Sequence, residues 1–300
     1  MIEKNSSGYL SVLAGVILFS AIEVISKSMA GNFPALPLVF HRFFIGGAVL
    51  LVYSFLFPAA DARKLDTRRF LRVCVFAVIG VTLAMSLFHL SLKSIRASNG
   101  ATIFCINPIF AAFFAVLVLR EKITSGIIIG IVFGFCGAAV ISFSGSTLNM
   151  SEITGSALMI AAAVCFAFYT TLSKKLNMEL GTSRATGLIF IIGSLLLIPV
   201  IARQGNAKYL TSWNGCTVEI LMLSLACTGL AYLLFLGGLT RVNVTRGISI
   251  FYLKPVMASI LAMIFLDENL TLRLGAGILL VSLGLYFTLK KRKKADCEKP

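Results

Sequence analysis

The residues that could do chemistry are few, and they stand in apolar surroundings. Lys254 lies about nine residues into an otherwise uncharged run that follows Arg246, and its neighbour is Pro255. Pro108 has a polar neighbour in the same place, Asn107. An ammonium at that depth of a membrane helix costs roughly 2.5–3.5 kcal/mol on insertion scales, so it is expected to face a cavity or an ion partner rather than lipid. Each proline lacks an N–H and blocks the carbonyl four residues back, here those of Phe104 and Phe251. Backbone opened in this way is tolerated at membrane depth where it lines a cavity or is covered by protein. Pro108 and Pro255 are therefore hinge candidates, and Asn107 and Lys254 candidate substrate contacts. Glu23 and Lys27 are four residues apart, on one helical face, and two readings stay open. In one they simply neutralise each other; Lys27 is separately a candidate substrate contact. In the other Glu23, deep in its run, exchanges a proton during a working cycle. Arg42, His89, Tyr169 and Tyr232 complete the candidate substrate contacts, with Met85 at the position equivalent to Tyr232 in the repeat described below. Arg42 either reaches the interface or binds an acidic group; His41 and His89 are titratable, and both also suit packing.

Several chemistries are excluded by what is missing. No HExxH, GxSxG, carboxylate pair or phosphate-binding glycine loop occurs, so an enzyme is not expected and ATP cannot drive the chain by itself. The cysteines at 74, 105, 136, 165, 216, 227 and 297 form no CxxC pair, which argues against a disulfide framework and a metal site. No cofactor is expected.

The elements that must position these residues follow from composition. Of 300 residues 58% are hydrophobic and 13% charged, and the mean hydropathy is +0.95. A soluble domain carries nearer a quarter charged residues, so this is a polytopic membrane protein by composition. Charges punctuate uncharged runs of 18 to 29 residues, each fitting one crossing. Ten spans are predicted, at 9–27, 36–57, 71–91, 99–119, 125–144, 156–174, 185–202, 218–238, 246–266 and 272–289. The first is expected to be retained, because Glu23 and Lys27 fall where a signal cleavage site would lie. With a cytoplasmic N-terminus, 19 lysines and arginines fall inside and 6 outside, which places both termini in the cytoplasm. That split absorbs most of the net charge of +15, including the basic tail 291–300, which suits an anionic leaflet better than nucleic acid.

Sliding the sequence by 147 residues superposes one half on the other without a gap. Leu92/Leu239, Gly100/Gly247, Phe104/Phe251, Pro108/Pro255, Glu121/Glu268 and Gly137/Gly284 coincide, and at the same offset so do Gly8/Gly155, Phe19/Phe166, Ser26/Ser173 and Lys27/Lys174. Duplication explains matched Pro, Glu, Lys and Gly at one offset better than chance does. Five spans per half is an odd number, so the halves 8–144 and 155–290 are expected to insert in opposite senses, as inverted-topology repeats of one membrane domain. The fold class expected is an all-α membrane protein of ten transmembrane helices in two inverted five-helix repeats.

Two segments, NPIFAAFFAVLVLREKITSGIIIGIVFGFCGAAVI and KPVMASILAMIFLDENLTLRLGAGILLVSLGLY, resemble the EamA repeats of the drug/metabolite transporter superfamily. The likeness covers about 9 to 290 and is most specific at residues 108/120/121/124 and 255/267/268/271; Arg42 and Lys27 also fit it. It implies secondary transport of small metabolites, amino acids or drugs. Two bundles inserted upside down can close a central cavity alternately on either side, which agrees with that implication. The expected function is a secondary carrier, by alternating access, for a small polar metabolite, an amino acid or an organic anion or zwitterion, since Lys254, Arg42 and Lys27 outnumber Glu23. The alternative is a proton-coupled exporter of organic cations centred on Glu23. Expected partners are the small-molecule substrate and membrane lipid, with no nucleic acid. The Gly126-Gly130-Gly134 stripe packs spans within the bundle or makes a homodimer, so a monomer or a dimer is compatible. A multi-pass protein of a prokaryotic inner membrane is expected.

Overall fold

The computed structural model describes residues 2–59, 63–121, 123–142, 150–213, 215–266 and 272–289. Among them the regular structure is entirely helical. Eight helices are long and apolar enough to cross a membrane: α1 (Ser6–Ser28), α2 (Ala35–Leu56), α3 (Thr67–Ser91), α4 (Asn99–Leu119), α6 (Met150–Leu180), α7 (Thr182–Arg203), α8 (Thr217–Arg241) and α9 (Val244–Phe265). The fifth and tenth expected spans correspond to α5 (Ser125–Ser142) and α10 (Leu272–Leu289), of 18 residues each. Glu268, Thr271 and the basic tail lie outside the described residues, as does Lys122.

Local chemistry sets the helix ends. Asp66 accepts the Arg69 N–H at 2.8 Å and so caps α3, while Asn243 accepts the Arg246 N–H at 3.1 Å and caps α9. α6 runs on beyond the expected end at 174 to Leu180, because Lys174 and Lys175 are good helix formers and do not break the backbone ladder where the apolar run stops.

Proline interrupts α4 and α9 as expected. In α4 the helix ends at Phe104 and restarts at Asn107; in α9 the chain tightens into a 3-10 turn over Ser249–Leu253 before Lys254. The Phe251 carbonyl that Pro255 blocks accepts the Cys105 thiol at 3.2 Å, so one break helps to satisfy the other. Wider π-helical turns occupy Val78–Leu83 in α3 and Met222–Leu230 in α8. These local widenings fall at equivalent places in the two halves, and no sequence signal marked them.

Packing is reciprocal between the halves. α1 lies on the end of α8 and α6 on the end of α3, while α2 pairs with α7 and α5 with α10. Residues 147 positions apart touch each other: Phe43 and Phe190 with ring centroids at 4.7 Å, Phe104 and Phe251 at 6.4 Å, and Tyr232, whose hydroxyl donates to the Met85 sulfur at 3.6 Å. Along α2 and α7, Gly47 meets Phe190 and Ile191, whereas Leu51, a turn later, meets Gly187, a turn earlier. The α5 glycine stripe packs within the chain: a methyl group on Gly130 would meet the Gly284 carbonyl at 2.6 Å.

Candidate functional site

The centre of the bundle holds an ion pair drawn from distant parts of the chain. Lys254 Nζ, at the restart of α9, lies 2.5 Å from Glu23 Oε1 on α1, and the side chains are 2% and 0% exposed. Rings surround the ammonium, with the centroids of Phe104, Phe88 and Phe251 at 4.8, 5.5 and 5.7 Å. The ring faces carry negative potential and supplement the single carboxylate, so the ammonium is held by charge and by cation–π attraction together. The second Glu23 oxygen has no hydrogen-bond partner among the described residues.

Arg42 stands beside this pair. Its Nε donates to the Thr228 hydroxyl at 2.5 Å, its guanidinium carbon lies 5.0 Å from the Phe43 ring, and Nη1 meets His89 Nε2 at 3.1 Å. A guanidinium only donates, so Nε2 accepts and the neutral His89 ring carries its proton on Nδ1. Arg42 is buried, which differs from a side chain reaching for the interface; two polar partners inside the bundle replace the water it would otherwise seek. Arg42, Phe88, Phe166, Tyr232 and Lys254 face a common cavity of about 10 Å³, room for the centre of roughly one water molecule. In this conformation the site is closed around its own charges.

Lys254, Glu23, Arg42, His89 and Tyr232 thus come together. Asn107 is fully buried with neither amide atom partnered among the described residues. Tyr169 packs its ring on Gly80 and on Phe76, at 6.3 Å, at the edge of the cluster. Lys27 takes another place: its ammonium donates to the carbonyls of Leu92 and Ile95, both at 2.9 Å, and fastens α1 to the end of α3. Its equivalent Lys174 does the same for α6, donating to the Val242 carbonyl at 2.7 Å. A lysine at the C-terminal end of a helix satisfies carbonyls that the helix leaves open, and that is sufficient reason for this residue in both halves. His41 meets the Tyr209 carbonyl through Nε2 at 2.8 Å, a packing position. Nothing in the sequence marks the rings of Phe88, Phe104 and Phe251 or the Thr228 hydroxyl as part of a site, although Phe104/Phe251 is a matched pair in the repeat and supplies the carbonyls that the prolines block.

Two consecutive stretches, residues 6–143 and 153–290, match the EamA-like transporter family. The chain belongs to that family. It is similar over nearly its whole length to an uncharacterized transporter of Clostridium kluyveri, with 23% identity across 96% of this chain and 95% of the relative. The uncharacterized transporter YvbV of Bacillus subtilis is 28% identical across 93% and 91%. The uncharacterized inner membrane transporter YicL of Salmonella typhimurium is 25% identical across 97% and 98%. A protein of known crystal structure shares the fold, with a TM-score of 0.77 at 19% identity over 95% of this chain and 96% of its own. This EamA-like transporter is therefore a multi-pass membrane protein.

Proposed function

We propose that this EamA-like transporter is a secondary carrier for small metabolites bearing a carboxylate or similar anionic group, and that zwitterions such as amino acids suit it best. The Glu23–Lys254 pair carries the reading. Two opposite charges buried at one point can be parted by a zwitterion at little electrostatic loss, since its anionic group takes Lys254 and its ammonium takes Glu23. A simple anion would leave the Glu23 carboxylate uncompensated and would have to bring a proton with it. A buried charge left without its partner costs about 3–5 kcal/mol, enough to set the stoichiometry. Arg42 and the Tyr232 hydroxyl stand at the same cavity to orient the anionic group.

Alternating access is the motion proposed, with ten spans in inverted halves 8–144 and 155–290 and both termini cytoplasmic. Contacts between residues 147 apart support it, because equivalent residues touch only where a two-fold axis passes between them. The opposed course of α2 and α7 past each other favours an axis lying across the helices, hence in the membrane plane. The small closed cavity is then an occluded state between the two open ones.

A second reading rests on the rings. The aromatic cage that holds the Lys254 ammonium would equally hold an organic cation against Glu23, as a proton-coupled exporter requires. Uptake of a mixed metabolite panel into proteoliposomes, with and without a pH gradient, separates the cases. Zwitterion transport independent of the gradient supports the first reading. Transport confined to organic cations, driven by an opposing proton gradient, overturns it.

A further inference from the structure

α6 carries a second feature that the central pair does not use. Starting from Phe166 at the cavity wall, residues 170, 173 and 177 return to the same face of the helix at intervals of three and four. They are Thr170, Ser173 and Asn177, all buried. Thr170 satisfies its hydroxyl on the Phe166 carbonyl at 2.8 Å, as a membrane threonine ordinarily does. Ser173 and Asn177 do not: the serine hydroxyl and both amide atoms have no hydrogen-bond partner among the described residues. Buried polar atoms are almost always paired, so two adjacent orphans on one helical face call for another conformation in which that face meets water or a polar ligand. Asn177 lies within a turn of Lys174, Lys175 and Met178, which line a separate cavity of about 610 Å³. That vestibule is on the side expected to be cytoplasmic. Its lining sets Arg63, Lys174 and Lys175 against Glu121, held by the N–H groups of Val244 and Thr245, and Glu179, paired with Arg69, so positive charge is in modest excess. The 11 helical steps from Phe166 to Asn177 rise roughly 16 Å along the axis.

We infer that the route between the Glu23–Lys254 site and the vestibule beside Lys175 runs down this face of α6, with Ser173 and Asn177 as polar contacts for substrate in transit. Ser26, the equivalent of Ser173 on α1, is likewise buried with an unpartnered hydroxyl, and it sits a turn beyond Glu23, where the opposite route would begin. The inference rests on the carrier reading for its direction of travel, while the orphaned groups and the vestibule carry the route itself. It goes beyond the substrate contacts at the centre by assigning residues that touch substrate only while it moves.

Cysteine accessibility in sealed vesicles of both orientations tests it. The natural cysteines are replaced, and Ser173→Cys, Asn177→Cys, Lys175→Cys and Leu117→Cys are introduced singly; Leu117 lies on the exposed face of α4. A charged, membrane-impermeant methanethiosulfonate should modify Lys175→Cys rapidly from one side only. Ser173→Cys and Asn177→Cys should react from that same side, slower by about 10- to 1,000-fold, the factor for an open state populated at 10 to 0.1%. Leu117→Cys should stay unmodified. If both α6 positions remain as unreactive as Leu117→Cys, or react only from the side opposite to Lys175→Cys, the route is wrong. Asn177→Cys supplies the same reading one turn from Ser173→Cys should the latter fail to fold. Labelling needs no knowledge of the substrate: lost labelling with uptake intact overturns the route alone, and intact labelling with no zwitterion or anion uptake overturns the substrate reading alone.

Discussion

Removing one member of the central pair should produce a loss of stability whose pH dependence identifies the member left behind. In Lys254→Met the Glu23 carboxylate, fully buried and 2.5 Å from the ammonium in the natural protein, would be stranded among Phe side chains. The penalty for a stranded buried charge is about 3–5 kcal/mol. It has a ceiling, because the carboxylate can take a proton instead. Supplying that proton to a group whose ordinary pKa is about 4.3 costs about 3.7 kcal/mol at pH 7 and about 1 kcal/mol at pH 5, at 1.36 kcal/mol per unit. Lys254→Met should therefore be destabilised by about 3–4 kcal/mol at pH 7 and recover as the pH falls. Glu23→Gln strands the ammonium instead, and the ordinary lysine pKa of about 10.4 sets its ceiling near 4.6 kcal/mol at pH 7 and near 1.9 kcal/mol at pH 9. Its stability should recover as the pH rises. The double variant leaves no charge and should approach the natural protein, since replacing a whole buried pair by neutral groups is often tolerated. Thermal unfolding of the purified protein across a buffer series, completed as a double-mutant cycle, measures all three. Parallel pH trends in the two single variants, or a double variant as unstable as the sum of both, would refute the pairing. Transport adds an independent check. Normal transport by Lys254→Met, together with loss of pH-driven transport but intact exchange in Glu23→Gln, would transfer the function to the cation reading.

Three further outcomes follow from the same geometry. Arg42→Lys keeps the charge but loses the forked contacts to Thr228 and His89, so it should cost about 2–4 kcal/mol of stability, measured by thermal unfolding, and should not restore uptake; full activity would deny the guanidinium a special place. Gly130→Leu should separate α5 from α10 and lower stability by about 1–3 kcal/mol or more in the same assay, because the added side chain meets the Gly284 carbonyl. Reporter fusions after residues 66, 148 and 298 should read cytoplasmic, external and cytoplasmic; an external signal at 298 would overturn the ten-span topology.

How far the sequence could be read depended on whether the relevant signal was local. Spans were legible because an uncharged run of about 20 residues has few other uses, and the breaks at Pro108 and Pro255 were legible because proline's missing N–H acts within one turn. The partner of Lys254 was not. Sequence spacing offers Glu23 only its helical neighbour Lys27, whereas the fold brings Lys254 to it from the other half and gives Lys27 to the Leu92 and Ile95 carbonyls. Phe88, Phe104 and Phe251 were hidden for a different reason: in a chain with 24 phenylalanines, the few that hold a cation look the same as those that meet lipid. Arg42 near the start of α2 looked able to reach the interface, and only the arrival of Thr228 and His89 from other helices makes its burial affordable.

The two halves keep their backbone devices in common and differ where charge is concerned. Proline breaks, helix-fastening lysines at 27 and 174 and contacts across the centre recur at the same offset. Yet Lys254 is matched by Asn107, Glu23 by Thr170 and Tyr232 by Met85. A fully symmetric centre would hold two lysines, two glutamates and two arginines and would bury six charges where three now lie, each with its own desolvation penalty. With one pair, the proposed carrier keeps nearly equivalent backbones for its two open states while offering a small substrate a single orientation, anionic end to α9 and cationic end to α1. On that account the asymmetry lies in the side chains that touch substrate, and the symmetry in the helices that move around it.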